Sequence, residues 1–280
     1  MSTAIKITAS EVNKLRQQTG AGMMDCKKAL VEAEGNFENA IDLLRKKGQK
    51  VAAKRGENDA KEGLVISESS SDGTYGIILA LNCETDFVSK NDGYRQLVQS
   101  FVDLAMREKP ESLEELKSLS YDNKLSVSEK IVEQVGVIGE KLELSQYAIL
   151  RSDKVVPYNH PGNQLATLVG LNSSSTEAEE AGRQVAMQVA AMSPIAVDKS
   201  GIDQATIDKE LEVGKDLAIQ EGKPAELADK IAFGRLNKFF KENTLLSQQF
   251  VRDDKVTVEK FLNSTEKGLT VTSFKRFSLS

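Results

Sequence analysis

The sequence predicts an α+β fold. It comprises a small N-terminal three-helix module, a two-lobed α/β core made of a repeated strand-turn-strand-helix unit with antiparallel sheets, and a helical hairpin inserted in the second lobe. Three observations lead there. Three short helical patterns, each bounded by capping or glycine signals, crowd residues 1–50. An apolar run with the length and β-branched content of a buried strand, residues 77–81, recurs at 168–171, ninety residues on from Ile78 to Leu168. Two further helical patterns within residues 203–241 meet at Gly222-Lys223-Pro224, a helix stop followed by a helix start.

The N-terminal module is legible from its punctuation. Thr8 is placed to cap a first helix, with Glu11 completing a capping box and Ile7 and Val12 as a hydrophobic staple. Gly20 and Gly22 break the chain; a second helix carries Met24, Ala29 and Leu30 and stops at Gly35. Asn36 caps a third, with Phe37, Ala40, Ile41 and Leu44 inward and Gly48 at its end. So small a bundle is marginal by itself and suits a docking role. A basic run overlaps and follows it: Arg45, Lys46, Lys47, Lys50, Lys54 and Arg55, with no acid before Glu57. This is either a solvated face of a charged linker, residues 51–62, or an RNA-contacting segment; the lack of interleaved aromatics counts against RNA.

The first core lobe, residues 63–146, opens on Gly63-Leu64-Val65-Ile66 and passes through the strand at 77–81. It then presents Leu97, Phe101, Val102, Leu104 and Ala105 along one helix face. Ser112 and Glu115 read as a second capping box, opening an acidic, solvent-facing stretch. The second lobe, residues 147–202 and 246–280, repeats the order. Ala148-Ile149-Leu150 is its short strand, then come 168–171 and a helix with Ala181, Val185, Ala186, Val189 and Ala190. Residues 271–277 read as a strand completing that lobe. The inserted hairpin, 203–245, reads as two helices packed on each other.

Composition bounds the function. With 280 residues and 40% hydrophobic content the chain can bury a core and make two or more domains. A net charge of −5 argues against the whole chain being an electrostatic nucleic-acid binder. Cys26 and Cys83 stand apart without a CxxC, which points to a reducing compartment and no disulfide framework. Residues 1–6 lack a basic-then-apolar leader pattern, and no apolar run reaches the roughly 18 residues of a membrane span, so a cytoplasmic protein is expected. One histidine, no phosphate-cradling glycine loop, no nucleophile elbow and no metal-ligand spacing leave little for bond chemistry, and no cofactor or metal is expected.

The candidate site is the polar turn after the strand at 77–81. Asn82-Cys83-Glu84-Thr85-Asp86-Phe87-Val88 sets an acid beside a large aromatic where a turn needs neither. Phe87 either folds back under its own loop or serves a partner. The second copy carries Ser173-Ser174-Ser175-Thr176-Glu177 at this place, without an aromatic. If that unit folds without the pair, Asp86 and Phe87 are dispensable to the fold and become candidates for function.

Residues 19–30, Thr-Gly-Ala-Gly-Met-Met-Asp-Cys-Lys-Lys-Ala-Leu, resemble the N-terminal signature of the bacterial elongation factor Ts family, guanine-nucleotide exchange factors for elongation factor Tu. Residues 82–88 resemble that family's second signature, centred on Thr-Asp-Phe-Val, and Gly222-Lys223-Pro224, Gly234-Arg235-Leu236 and Phe250-Val251 extend the likeness. The resemblance implies a UBA-like N-terminal module and a coiled-coil-like arm. It further implies that Thr85, Asp86, Phe87 and Val88 act at the partner's nucleotide and magnesium site, and that Arg16, Met23 and Met24 dock on its nucleotide-binding domain. Met24 is alternatively core. In Tyr158-Asn159-His160, His160 would touch another domain of the partner. The implied partner is elongation factor Tu, GDP-bound and nucleotide-free, with a higher-order complex possible and no membrane or direct nucleic-acid contact. The competing reading is a docking scaffold with an RNA-contacting basic segment. The chain departs from the family pattern at Asn13, Lys141, Gln164 and Gln249.

Overall fold

The computed structural model describes residues 7–279; residues 1–6, read for a leader pattern, and Ser280 lie outside the described residues. The first three helices are α1 (Ala9–Thr19), α2 (Met23–Glu32) and α3 (Phe37–Arg55). A first sheet follows from β1 (Glu62–Ser69), β2 (Tyr75–Cys83) and, after four helices, β3 (Glu143–Arg151). Those helices are α4 (Asp86–Ser89), α5 (Asp92–Glu108), α6 (Leu113–Ser118) and α7 (Val127–Ile138). A second sheet comprises β4 (Lys154–Asn159), β5 (Leu165–Leu171) and the last strand. Between β5 and that strand lie α8 (Thr176–Met192), α9 (Gln204–Gln220), α10 (Ala225–Asn243), the short pair β6 (Gln249–Phe250) and β7 (Asp253–Thr257), and α11 (Val258–Thr265). The chain closes on β8 (Val271–Ser278).

Both three-stranded sheets are antiparallel, in the orders β1-β2-β3 and β4-β5-β8. The run 77–81 is continuously apolar because β2 is buried on both faces. Ile77, Leu79, Leu81 and Cys83 pack toward α5, against Phe101 and Val102, while Ile78 and Ala80 meet Ala166 and Leu168 of β5. On the other side of β5, Val169 and Leu171 pack with Ala181, Val185 and Val189 of α8. The core is thus four layers, helix, sheet, sheet and helix. Hydrogen bonds also stitch the sheets together: Asn159 Oδ1 accepts from the Ser67 N–H at 2.8 Å and Asn159 Nδ2 donates to Ser67 O at 2.9 Å.

The strand at 148–150 belongs to the first sheet, not the second. Ile149 sits opposite Ile77 on β2, and the short strand of the second copy is β4. The repeat is therefore strand, strand, helices, strand: each hairpin receives its third strand only after the intervening helices. Residues 152–153 alone separate β3 from β4, so one tight connection carries the chain from sheet to sheet. Pro157 is tolerated because β4 is an edge strand.

The N-terminal module forms as its signals dictate. Thr8 and Glu11 make the reciprocal capping box, and Val12, Leu15, Cys26, Leu30 and Ala40 are buried together. Helix α3, however, runs through Gly48 to Arg55, so residues 51–55 are helix and not linker. Gly48 is a packing residue: a Cβ added at Gly136 of α7 would stand 2.6 Å from Gly48 Cα, so the two glycines let the backbones touch. At residue 112 only half of a capping box forms; Ser112 accepts from the Glu115 N–H, but the Glu115 carboxylate accepts from Glu111 N instead. The predicted hairpin is α9 and α10, capped by Asp203 and turned at Gly222 with φ of 75°.

Gly136→Ala should destabilise the protein by about 1–3 kcal/mol, the usual result of overpacking a tight contact. Helix propensity alone predicts a gain of roughly 1 kcal/mol from the same change. Urea unfolding distinguishes the two by the sign of the midpoint shift.

Candidate functional site

The loop leaves β2 from a fixed base. Asn82 Nδ2 donates to Ala60 O at 3.0 Å and its Oδ1 accepts from Ser145 Oγ at 2.6 Å. The buried Tyr94 hydroxyl donates to Leu81 O at 2.6 Å, and burial holds its pKa well above the usual tyrosine value. Cys83 Sγ donates to Thr85 O at 3.2 Å; burial pushes this thiol up to about 11, so it stays protonated and unreactive near neutrality.

Beyond Cys83 the backbone is clamped by two carboxylates working in opposite directions. Glu84 Oε1 accepts from the Lys141 N–H at 2.6 Å, and Glu140 Oε2 accepts from the Thr85 N–H at 3.0 Å. The Thr85 hydroxyl also donates to Glu140, at 2.7 Å, and makes no capping bond to α4. The end of α3 joins the same junction. Arg55 Nη1 donates to both Glu84 oxygens at 2.9 and 2.8 Å, and Asn58 Nδ2 to Oε2 at 3.0 Å. Lys141 Nζ reaches Gly56 O and Asn58 O, both at 3.0 Å. The Glu84 side chain is only 15% exposed. Burial opposes its charge, but the bonds from Lys141 N, Arg55 and Asn58 together outweigh burial and hold its pKa below the ordinary value.

From this base α4 makes a single turn. Val88 points inward and packs on the core under α5, while Phe87 is 83% exposed, so the ring does not fold back under its own loop. Asp86 lies at the first position of α4 and pairs with Lys90 Nζ at 2.6 Å. That hydrogen bond and charge lower the Asp86 pKa, so it carries its negative charge throughout the neutral range. Asn91 then caps α5. The tip offers a phenyl ring and a carboxylate side by side on a rigid mount.

The other predicted residues are also at the surface. Met23 and Met24, opening α2, are 58% and 63% exposed, so Met24 is not core, and Arg16 on α1 is exposed. His160 is exposed in the β4–β5 turn, its Nδ1 3.0 Å from the Tyr158 hydroxyl. In that turn Gln164 bonds Glu62 at 3.2 Å, and Glu62 is the register partner of Cys83. His160 therefore shares an end of the sandwich with the loop. The N-terminal residues connect to the loop through α3, whose last residue is Arg55. Sequence reasoning missed Arg55, Asn58 and Glu140 as loop supports, and treated Lys141 as a departure; 55 residues separate Thr85 from Glu140, and no local pattern signals the pairing. Among the described residues no group of three or more His, Cys, Asp or Glu side chains could hold a metal ion, and no helix is long and apolar enough to cross a membrane.

Fold and site together define a two-sheet α+β protein with a helical module and a helical hairpin, whose loop tip is held outward by side chains from three segments. A family model described as elongation factor TS matches residues 84–280, more than half of the chain. The chain is 51% identical over 274 residues to the elongation factor Ts of Christiangramia forsetii, covering 98% of this chain and 99% of that one. It is 51% identical to that of Amoebophilus asiaticus, covering 96% and 98%, and 49% identical to that of Cytophaga hutchinsonii, covering 98% and 99%. The chain belongs to the elongation factor Ts family.

The Glu84 carboxyl should titrate below its ordinary 4.5 in a carbon-13 NMR titration. A depressed folded-state pKa means its contribution to stability is present above the unfolded value and lost as pH falls through the folded one. In Arg55→Ala the titration should move upward, because the burial penalty stays while a charged partner is removed.

Proposed function

We propose that the chain binds elongation factor Tu and promotes release of GDP and its exchange for GTP, with the 85–88 loop working at the partner's magnesium and nucleotide site. The observation that carries this reading is the exposed Phe87 ring beside an ionised Asp86 on a braced turn. No bond is made or broken. An exchange factor binds the nucleotide-free partner more tightly than the nucleotide-bound one, and linkage then obliges it to weaken nucleotide binding by the same factor.

Magnitudes divide the work. A thousandfold faster release needs about 4 kcal/mol off the barrier. Burying a phenylalanine side chain contributes roughly 1.5–3 kcal/mol, so the Phe87 wedge alone falls short. Magnesium demands near-ideal octahedral geometry, so displacing its ligands or waters supplies the remainder. Asp86 is the residue for that task, being charged and within the same turn as the wedge. Met23 and Met24 suit an adaptable apolar contact on the partner's nucleotide-binding domain, to which the exposed Arg16 of α1 would add a charge. His160 forms a second, lesser contact from the loop's end of the sandwich.

The scaffold reading with RNA on the basic run is weaker. Three of its six cations are engaged within the chain: Lys47 with Asp25, Arg55 with Glu84 and, more loosely, Arg45 with Asp42.

Phe87→Ala should lower the maximal rate of labelled-GDP release from elongation factor Tu by about 10–100-fold, the kinetic equivalent of one buried phenyl ring. Its thermal midpoint should barely move, because an exposed residue contributes within about 0.5 kcal/mol. Near-normal exchange in stopped flow would sink the wedge. Met23→Ala with Met24→Ala should instead raise the factor concentration giving half-maximal release, leaving the maximal rate nearly unchanged.

A further inference from the structure

We propose that Glu84 is a positioning residue, which through Arg55 locks helix α3 of the N-terminal module to the exchange loop so that seating of that module fixes where Phe87 meets the partner. The inference rests on the exchange reading above and concerns how that site is aimed.

The lock has the features that separate a working ion pair from an incidental one. Exposed pairs contribute little because two long side chains are ordered in open water. Here one Arg55 nitrogen serves both oxygens of a carboxylate that is largely buried and holds two further donors, Asn58 Nδ2 and Lys141 N. Charge-assisted bonds of this kind are roughly twice as strong as neutral ones. The lock is also doubled. The Lys141 ammonium holds Gly56 O and Asn58 O, while the neighbouring Glu140 holds Thr85. Three segments distant in sequence, 55–58, 84–85 and 140–141, thus form one junction.

The junction sits where leverage is greatest. Helix α3 has 19 residues and is roughly 28 Å long. Its middle is fixed against α7 at the Gly48–Gly136 contact, and α7 itself ends at Ile138, with only its capping Gly139 before Glu140. Its first half packs in the N-terminal module, through Phe37, Ala40, Ile41 and Leu44, and its last residue is Arg55. A tilt of about 5° around the Gly48–Gly136 contact, which lies roughly 10 Å along the helix from Arg55, displaces the helix end by roughly 0.9 Å. A misplacement of about 1 Å is enough to cost a reaction centre on the order of a hundredfold. Without the Glu84–Arg55 bond the module would still dock and the ring would still protrude, but the aim would be lost.

The test is stopped-flow release of labelled GDP from elongation factor Tu, with the factor titrated to saturation, using Arg55→Ala, Arg55→Lys and Glu84→Gln in the full chain. The expected result is a maximal rate lowered about tenfold for Arg55→Ala and Glu84→Gln, with the half-saturating concentration within about twofold of the parent. Arg55→Lys, which keeps the charge on a shorter side chain, should fall between; being mild, it also keeps the test open if Arg55→Ala loses its helical signal. Adding Arg55→Ala to Phe87→Ala should lower the maximal rate no further, because the arginine acts through the ring; a merely structural role would add its own loss. Unchanged maximal rates, or a shift only in half-saturation, overturn the proposal while leaving exchange intact. Failure of the parent chain to accelerate release would instead overturn the exchange reading itself.

Discussion

The rest of the structure depends on β2 being buried on both faces. One face meets α5 and the other meets β5, so neither sheet can shift without opening an apolar core. Interiors packed at crystal-like density do not deform continuously. The C-terminal end of β2 is consequently a fixed point, and the loop that leaves it at Cys83 inherits that rigidity. An exposed aromatic on a loose turn would cost order on binding; on this mount the ordering has already been met during folding.

The internal repeat shows which part of the loop is structural and which is not. In the second copy, the turn between β5 and α8 is also held by a carboxylate from the segment before the third strand: Glu266 accepts from Ser173 Oγ at 3.1 Å and Ser175 Oγ at 2.6 Å. Glu140 plays the equivalent part in the first copy, just before β3. A carboxylate brace is therefore common to both halves. The extra turn of helix α4, with Asp86 and Phe87 on it, occurs in the first half alone, where Ser175 of the second simply caps α8. The fold needs the brace; the tip is an addition to it.

Electrostatics within the loop follow the same division. Glu84 is largely buried and holds a lowered pKa only because three donors offset the cost of burial. Asp86 is in solvent, and Lys90 beside it keeps it ionised without burying it. The first carboxylate is committed to the chain's own architecture. The second keeps its charge at the surface.

The sequence by itself determined what local pattern can encode. Buried strands follow from apolar runs, helix ends from Thr8 and Asn36, the hairpin from Gly222 and Pro224, and the candidate tip from an acid and a phenyl ring in a turn with no structural call for them. Period and capping act over a few residues, and these features rest on nothing longer. Tertiary structure alone decided that α3 passes through Gly48, that residues 143–151 complete the first sheet, and that Glu84 and Glu140 clasp each other's turns. Each of these is a contact between distant segments: a glycine reads as a stop until a second glycine is placed against it, and an apolar strand carries no mark of which sheet it joins. The acid and the ring were legible in the chain; that the ring stands exposed, and that three separated stretches join beneath it, came only with the tertiary fold.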